Sequence, residues 1–317
     1  MTLYNRFSVG NLTLPSGRLL LNTRLSAAPT TKKTQRVVIL TAIALTAFAA
    51  NSVLCRVALR HSAIDPISFS VIRLVSGALI LWVILKFQRP VKKATGSWGG
   101  AVSLYVYAFA FSYAYLKLDT GTGALVLFGA VQLTMLGYGV LQGERMGVLA
   151  LLGLVLAVTG LVVLLLPGSS APPLTSVVIM LASGVAWGVY SILGKGLTDP
   201  LAATAGNFMM SVPLIMLTSL PFISSFHADV VGITSAVVSG TIASGAGYAI
   251  WYAAVRHLSS FRAATVQLTV PVIASIAGVL LLGETFTTRL GLSSLTVLGG
   301  IALVLSAKQT ASLKPRD

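Results

Sequence analysis

From residue 37 onward the chain is a succession of ten apolar runs, roughly 37–58, 67–87, 98–116, 121–142, 147–166, 174–195, 203–223, 232–254, 262–282 and 290–307. A helix needs about 20 apolar residues to cross the hydrocarbon core of a bilayer. Inside that core every backbone N–H and C=O must be satisfied within the protein, which a helix does alone. The expected fold is therefore all-α and integral to the membrane, with ten transmembrane helices. Composition agrees: 9% of residues are charged and mean hydropathy is +0.90, whereas soluble domains carry about 25% charged residues. Such a chain lacks the charge to cover a water-facing surface.

The connections are short and carry turn residues: "HSAIDP", "QRPVKKATGS", "KLDTG", "QGERM", "PGSSAPP" and "GLTDP". Net charge is +15, but its distribution does not suit nucleic acid. With the N-terminus placed inside, seventeen Lys and Arg fall on the inner side and three (Arg60, Lys117, Arg289) on the outer, while Arg56 and Arg73 lie within spans. That bias follows the positive-inside rule and puts both termini in the cytoplasm. Residues 1–36 carry six basic residues and no acid. A basic, disordered cytoplasmic tail is the favoured reading; a transit peptide or an upstream start has the same composition. Residues 308–317 are expected to form a short basic C-terminal tail.

The chain repeats itself. "LDTGTGA" through "QGER" aligns with "LSSFRAA" through "LGET" at an offset of 140, which pairs Gly143-Glu144 with Gly283-Glu284 and Gly160 with Gly300. Asp65-Pro66 recurs as Asp199-Pro200 at an offset of 134. Each half, 37–166 and 174–307, holds five spans. Because five is odd, the second half must enter the membrane upside down. Inverted repeats place a substrate site near the midplane between the halves.

Several motifs now resemble a known family. "QGERM" and "LLGETF" close the fourth and ninth spans, "AIDPISFSVIRLVSGALIL" opens the second with Arg73 inside it, and "TVPVIASIAGVLLLGE" puts Pro271 thirteen residues before Glu284. With ten spans in two halves, this is similar to the EamA-like branch of the drug/metabolite transporter superfamily. The resemblance implies export or exchange of a small metabolite, such as an amino acid, across a bacterial inner membrane. One departure is Val131, where the family often has a proline; a differently bent fourth helix is expected.

The chemistry narrows the mechanism. There is no phosphate-binding G-x-x-x-x-G-K-[ST] loop, so the chain does not hydrolyse ATP. A single cysteine, Cys55, and three scattered histidines offer no disulfide and no metal cluster; no cofactor is expected. All seven acids lie at span ends or in tails, which disfavours a mid-membrane proton relay. Glu144, Pro271 and Glu284 occupy motif positions whose role is structural or, alternatively, coupling; the two glutamates oppose the helix dipole at span ends and are expected to pair with bases, Arg145 and Arg289 being nearby. Asp65 and Asp199, each before a proline, are expected to cap helix starts.

Polar and aromatic side chains inside spans are the candidate substrate contacts: Asn51, Tyr105, Gln132, Trp187, Tyr190, Tyr248, Trp251 and Gln267. Polar groups in hydrocarbon must find partners, so helix–helix hydrogen bonds compete with a binding role for each. Arg73 lies about 10 Å along its helix from Pro66. It is expected either to pair across helices, with Asp65, Asp119 or carbonyl oxygens, or to meet a substrate carboxylate. The expected partners are a small-molecule substrate and the lipid bilayer, with no nucleic acid; the protein would act as a monomer or homodimer. A flippase for lipid or lipid-linked sugar is the alternative within the same fold. A membrane-embedded enzyme is disfavoured, because no D-D-x-x-D, H-E-x-x-H or G-x-S-x-G motif is present.

Overall fold

The computed structural model describes residues 31–88, 93–168, 171–258 and 260–313. Most of the expected N-terminal tail, residues 1–30, lies outside them, as does 314–317. Every regular element among the described residues is helical. They are α1 (Thr31–His61), α2 (Pro66–Phe87), α3 (Trp98–Tyr115), α4 (Thr120–Leu141), α5 (Val148–Leu165), α6 (Leu174–Leu193), α7 (Pro200–Ser219), α8 (Val230–Val238), α9 (Gly247–Val255), α10 (Ser260–Gln267), α11 (Thr269–Leu282) and α12 (Thr288–Leu313). Helix α1 begins at Thr31, ahead of the expected Val37, so residues 31–36 are helical rather than part of a loose tail. Helix α12 likewise runs past 307.

Nine helical stretches among the described residues are long and apolar enough to cross a membrane. The expected span that is not among them is α3. Its 18 residues include four tyrosines and two serines, which lower its hydropathy although it packs inside the bundle. Large apolar side chains cover the outside: Leu141, Val148, Leu280 and Leu295 are each at least three-quarters exposed. In water such a surface would aggregate; against lipid it is the expected finish.

The breaks between helices have local causes. Asp65 accepts hydrogen bonds from the backbone N–H groups of Ile67 and Ser68, and Asp199 from Ala202, each followed by proline in the first turn. These are the helix starts the Asp-Pro pairs announce. The ninth span is broken at Leu268, between α10 and α11. Pro271 cannot donate to the carbonyl four residues earlier, and Leu268 N–H turns instead to Thr265 O at 3.1 Å. The fourth span, with Val131 in place of proline, runs unbroken from Thr120 to Leu141. The eighth span contains a π-helical segment, Ser239–Ala246, between α8 and α9. There a Cβ on Gly240 would collide with Ser76 Oγ and the carbonyl of Arg73, so only glycine lets this segment lie directly on α2.

Contacts between the halves come in reciprocal pairs. Helix α6 packs on α3 and α4, and its counterpart α1 packs on α8, α9 and α11. Helix α2 meets α7, α4 meets α11, and α5 meets α12. The two Gly-Glu turns are alike: Gly143 (φ +86°) and Gly283 (φ +63°) are left-handed, and the following Glu N–H donates to Gly139 O at 3.0 Å or Gly278 O at 3.1 Å. Yet Glu284 touches the start of α4 (Thr120), whereas Glu144 follows the end of α4, 22 residues or about 33 Å away. Equivalent residues sit at opposite ends of the bundle, as an inverted repeat requires.

Asp65 gives a pH prediction. Partial burial raises its carboxyl pKa, but hydrogen bonds from the Ser68 hydroxyl and the N–H groups of Ser68, His227 and Ile67 outweigh this and hold it below the usual carboxylate value. The folded pKa is depressed, so the stabilisation is full above the unfolded value near 3.9 and is lost as pH falls through the folded one. Asp65→Asn is expected to flatten the acid limb of the detergent-solubilised protein's melting temperature below about pH 4. An unchanged acid limb would contradict this account.

Candidate functional site

A cavity of about 1190 Å³ opens between the halves. Its mouth is formed by Thr95, Ser97, Gln142, Glu144 and residues 194–197, all from connections at one end. No described residue from the connections at the opposite end lines it. We call the two ends open and closed.

The wall is aromatic. Trp187 of α6 stacks between Tyr190 (5.0 Å, 20°) and Tyr248 of α9 (5.3 Å, 21°), and its ring lies 4.7 Å from Tyr107 of α3. Phe48 of α1 packs on Tyr248 and Trp251. Gly184 and Gly188 let α6 press against Leu127, Ala130 and Thr134 of α4, which frees the Trp187 face for the cavity. A hydroxyl chain ties the wall together: Tyr190 Oη donates to Thr204 Oγ1 at 2.9 Å, and Thr204 bonds Tyr252 Oη at 3.0 Å. Polar groups punctuate it. Gln132 of α4 and Gln267 at the end of α10 line the cavity, and Asn207 of α7 accepts from Ser97 N–H at 2.8 Å. Asn51 of α1 donates to Tyr107 Oη at 3.2 Å and accepts from Ser239 Oγ at 2.6 Å.

The closed end is held by one guanidinium. Arg56, 2% exposed, donates from Nε to Glu284 Oε1 at 3.2 Å, from Nη2 to Asp119 Oδ1 at 2.9 Å, and from Nη1 to the carbonyls of Tyr115 and Leu116. Glu284 also accepts from Thr120 N–H at 2.8 Å and from its hydroxyl at 3.1 Å. A carboxylate at the first turn of α4 is favoured by that helix's dipole. Four helices from both halves thus meet at Arg56: α1, the C-terminus of α3, the N-terminus of α4 and the C-terminus of α11.

Of the expected site residues, Asn51, Gln132, Trp187, Tyr190, Tyr248, Trp251 and Gln267 line one cavity, with Glu144 at its mouth. Three expectations are corrected. Tyr105 does not line the cavity; its hydroxyl bonds Thr218 of α7 at 3.1 Å. Glu284 pairs with Arg56 rather than Arg289, which donates to the carbonyls of Leu166 and Pro167. Arg73, 1% exposed, pairs with neither Asp65 nor Asp119 but donates to Tyr107 Oη at 2.9 Å. Pro271 is buried outside the cavity lining. Tyr107, Phe111, Tyr252, Asn207 and Phe48 complete the wall. Tyr107 was legible only by helical phase: with Gly100, Leu104 and Phe111 it forms the buried face of α3, whereas Tyr105, Phe109 and Tyr113 stack on another.

The sequence pattern of the EamA-like transporter family matches the chain twice, over residues 35–166 and 174–306. The chain belongs to the EamA-like transporter family. An uncharacterized protein of Pseudomonas aeruginosa is 53% identical over 275 residues, 86% of this chain and 96% of that protein. An uncharacterized transporter of Archaeoglobus fulgidus is 31% identical over 170 residues, 51% of this chain and 59% of its own length. A solved structure, described only as the crystal structure of a protein, superposes with a TM-score of 0.61 at 20% identity and covers 84% of this chain and 98% of that one. That last likeness is one of fold. As a member of this family the chain is a multi-pass membrane transporter.

Proposed function

We propose that the protein is a secondary transporter that moves a small amphipathic metabolite, such as a hydrophobic amino acid, by alternating access. The one observation that carries this reading is a large cavity open at one end and latched at the other. Its aromatic faces suit an apolar side chain, and its few amides suit a polar head. The open end carries the more basic connections, so by the positive-inside rule it faces the cytoplasm of a bacterial inner membrane. The conformation is then the inward-open one, loaded from the cytoplasm for export or exchange. Breaking the Arg56–Glu284 contact would open the other end.

The test is counterflow of labelled amino acids in proteoliposomes, with and without a pH gradient. Exchange of at least one hydrophobic amino acid without a gradient is the expected result. Trp187→Ala removes the central ring of the stack, and loss of aromatic burial and stacking of about 1.5–3 kcal/mol corresponds to a half-saturation concentration raised by roughly ten- to a hundredfold. Exchange seen only with a pH gradient would require a proton site. No exchange across the panel would reject the amino-acid reading.

A further inference from the structure

We propose that Arg73 and Tyr107 form an anion-recognition site in the deep wall of the cavity, and that the transported molecule carries a carboxylate or a similarly compact oxyanion. The inference rests on the transporter reading and specifies its substrate class.

Arg73 is a permanent cation within a membrane span, where an uncompensated charge is costly. All three ion pairs among the described residues involve Arg56 or Arg60 at the closed end, and none reaches Arg73. Its guanidinium lies 5.1 Å from the ring centre of Tyr107 and 4.9 Å from that of Phe111, so two cavity-lining rings supply cation–π contact in place of a counter-ion. One of its nitrogens, Nη1, is buried with no hydrogen-bond partner. Buried donors are rarely left so, and each such orphan in a native fold asks for an explanation.

Hydrogen-bond accounting around it points one way. Tyr107 oxygen already accepts from Arg73 Nη2 at 2.9 Å and from Asn51 Nδ2 at 3.2 Å. A phenol oxygen that accepts twice still has one hydrogen to donate, and no acceptor for it is found among the described residues. The side-chain oxygen of neighbouring Asn51 already accepts from Ser239 Oγ at 2.6 Å. The cluster therefore has donors to spare, Arg73 Nη1 and the Tyr107 hydrogen. Tyr107 lines the cavity and Arg73, which does not itself line it, lies directly behind; in the proposed site the Tyr107 hydrogen is given to the ligand, and the cation behind strengthens that bond. An anionic oxygen fills that valence; an amide carbonyl fills it without the charge, and a cation is repelled. The stacked rings of Trp187, Tyr190 and Tyr248 then receive the apolar part of the same molecule.

The experiment uses the full-length protein in detergent and four probes on one skeleton: 3-phenylpropionate, 3-phenylpropionamide, L-phenylalanine and phenethylamine. The readout is the rise in melting temperature with probe concentration. A hydrogen bond to a charged partner corresponds to about tenfold in affinity or more. The two carboxylates are therefore expected to half-saturate at concentrations about tenfold below the amide, and phenethylamine to bind weakest. Tyr107→Phe keeps the ring and its packing and is expected to bring carboxylate and amide within about twofold of each other. Arg73→Gln should do the same, and Arg73→Lys, which keeps the charge, should retain a preference. If wild type binds amide and carboxylate equally, or if Tyr107→Phe keeps the full preference, the anion site is overturned while counterflow still supports a transporter. If no probe shifts the wild-type midpoint, the proposal fails, and counterflow alone decides the transporter reading.

Discussion

Arg56→Ala is expected to destabilise the folded protein by about 3–5 kcal/mol and to show the largest loss of melting temperature of any single substitution at the closed end. The magnitude follows from what is left behind. Glu284, whose side chain is 6% exposed, would keep its bonds from Thr120 but lose its only counter-charge among the described residues. The carbonyls of Tyr115 and Leu116 would lose a donor as well. Breaking one partner of a buried pair costs far more than removing both, because the survivor stays buried and charged. The double substitution Arg56→Leu, Glu284→Leu should therefore cost less than the sum of the two singles by at least about 1 kcal/mol. Melting curves of the four proteins in detergent give that coupling directly, and strict additivity would show that the two side chains do not act together. Arg60, which reaches Asp119 at 3.4 Å with both side chains well exposed, is the internal control. Exposed pairs are worth about 0–1 kcal/mol, so Arg60→Ala should change little.

The second large effect is expected at the α5–α12 seam. A Cβ on Gly300 would stand 2.5 Å from Gly153 O and 2.5 Å from Ala157 N. These are backbone atoms of α5 and cannot swing aside as a side chain would. Gly300→Val must push the two helices apart along their length, at a cost of about 1–3 kcal/mol or more. Gly299, one residue earlier, has open space where a Cβ would stand, with nothing within 4 Å. Gly299→Ala should be neutral or slightly stabilising, since alanine is the better helix former. Folding yield and melting temperature of the two variants give the comparison. Equal behaviour would mean that the close approach of α5 and α12 is not maintained in the membrane.

Much of this architecture is legible in the sequence, because span length, the Asp-Pro starts and the paired Gly-Glu turns are local signals. The aromatic and amide groups of the cavity are also legible, as polar or bulky exceptions within apolar runs. What is not legible is which exceptions face each other. Tyr105 and Tyr107 are two residues apart and point to different sides of α3; only the phase of the packed helix separates them. Arg56 and Glu284 are 228 residues apart, while Arg289 is close in sequence to Glu284 and was the natural but incorrect partner. The π-helical segment of the eighth span depends on how closely Gly240 sits on α2, which no periodicity reports.

The reciprocal packing of the halves has a consequence for how the protein is made. Helix α1 finds its partners in α8, α9 and α11, and α6 finds its in α3 and α4. The first half, on leaving the translocation machinery, holds Asn51, Arg56 and Gln132 in lipid before Ser239, Glu284 and the rest of the cavity wall exist. During synthesis Asn51 can already reach Tyr107, and Arg56 can reach Asp119 and the carbonyls of Tyr115 and Leu116, but Asn51 still lacks Ser239 and Arg56 its buried counter-charge until Glu284 arrives behind α11. Premature truncation anywhere before residue 284 would leave Arg56 without that counter-charge. A half-length product should therefore be a target for membrane quality control, and the two halves, if separated, should regain function only when expressed together.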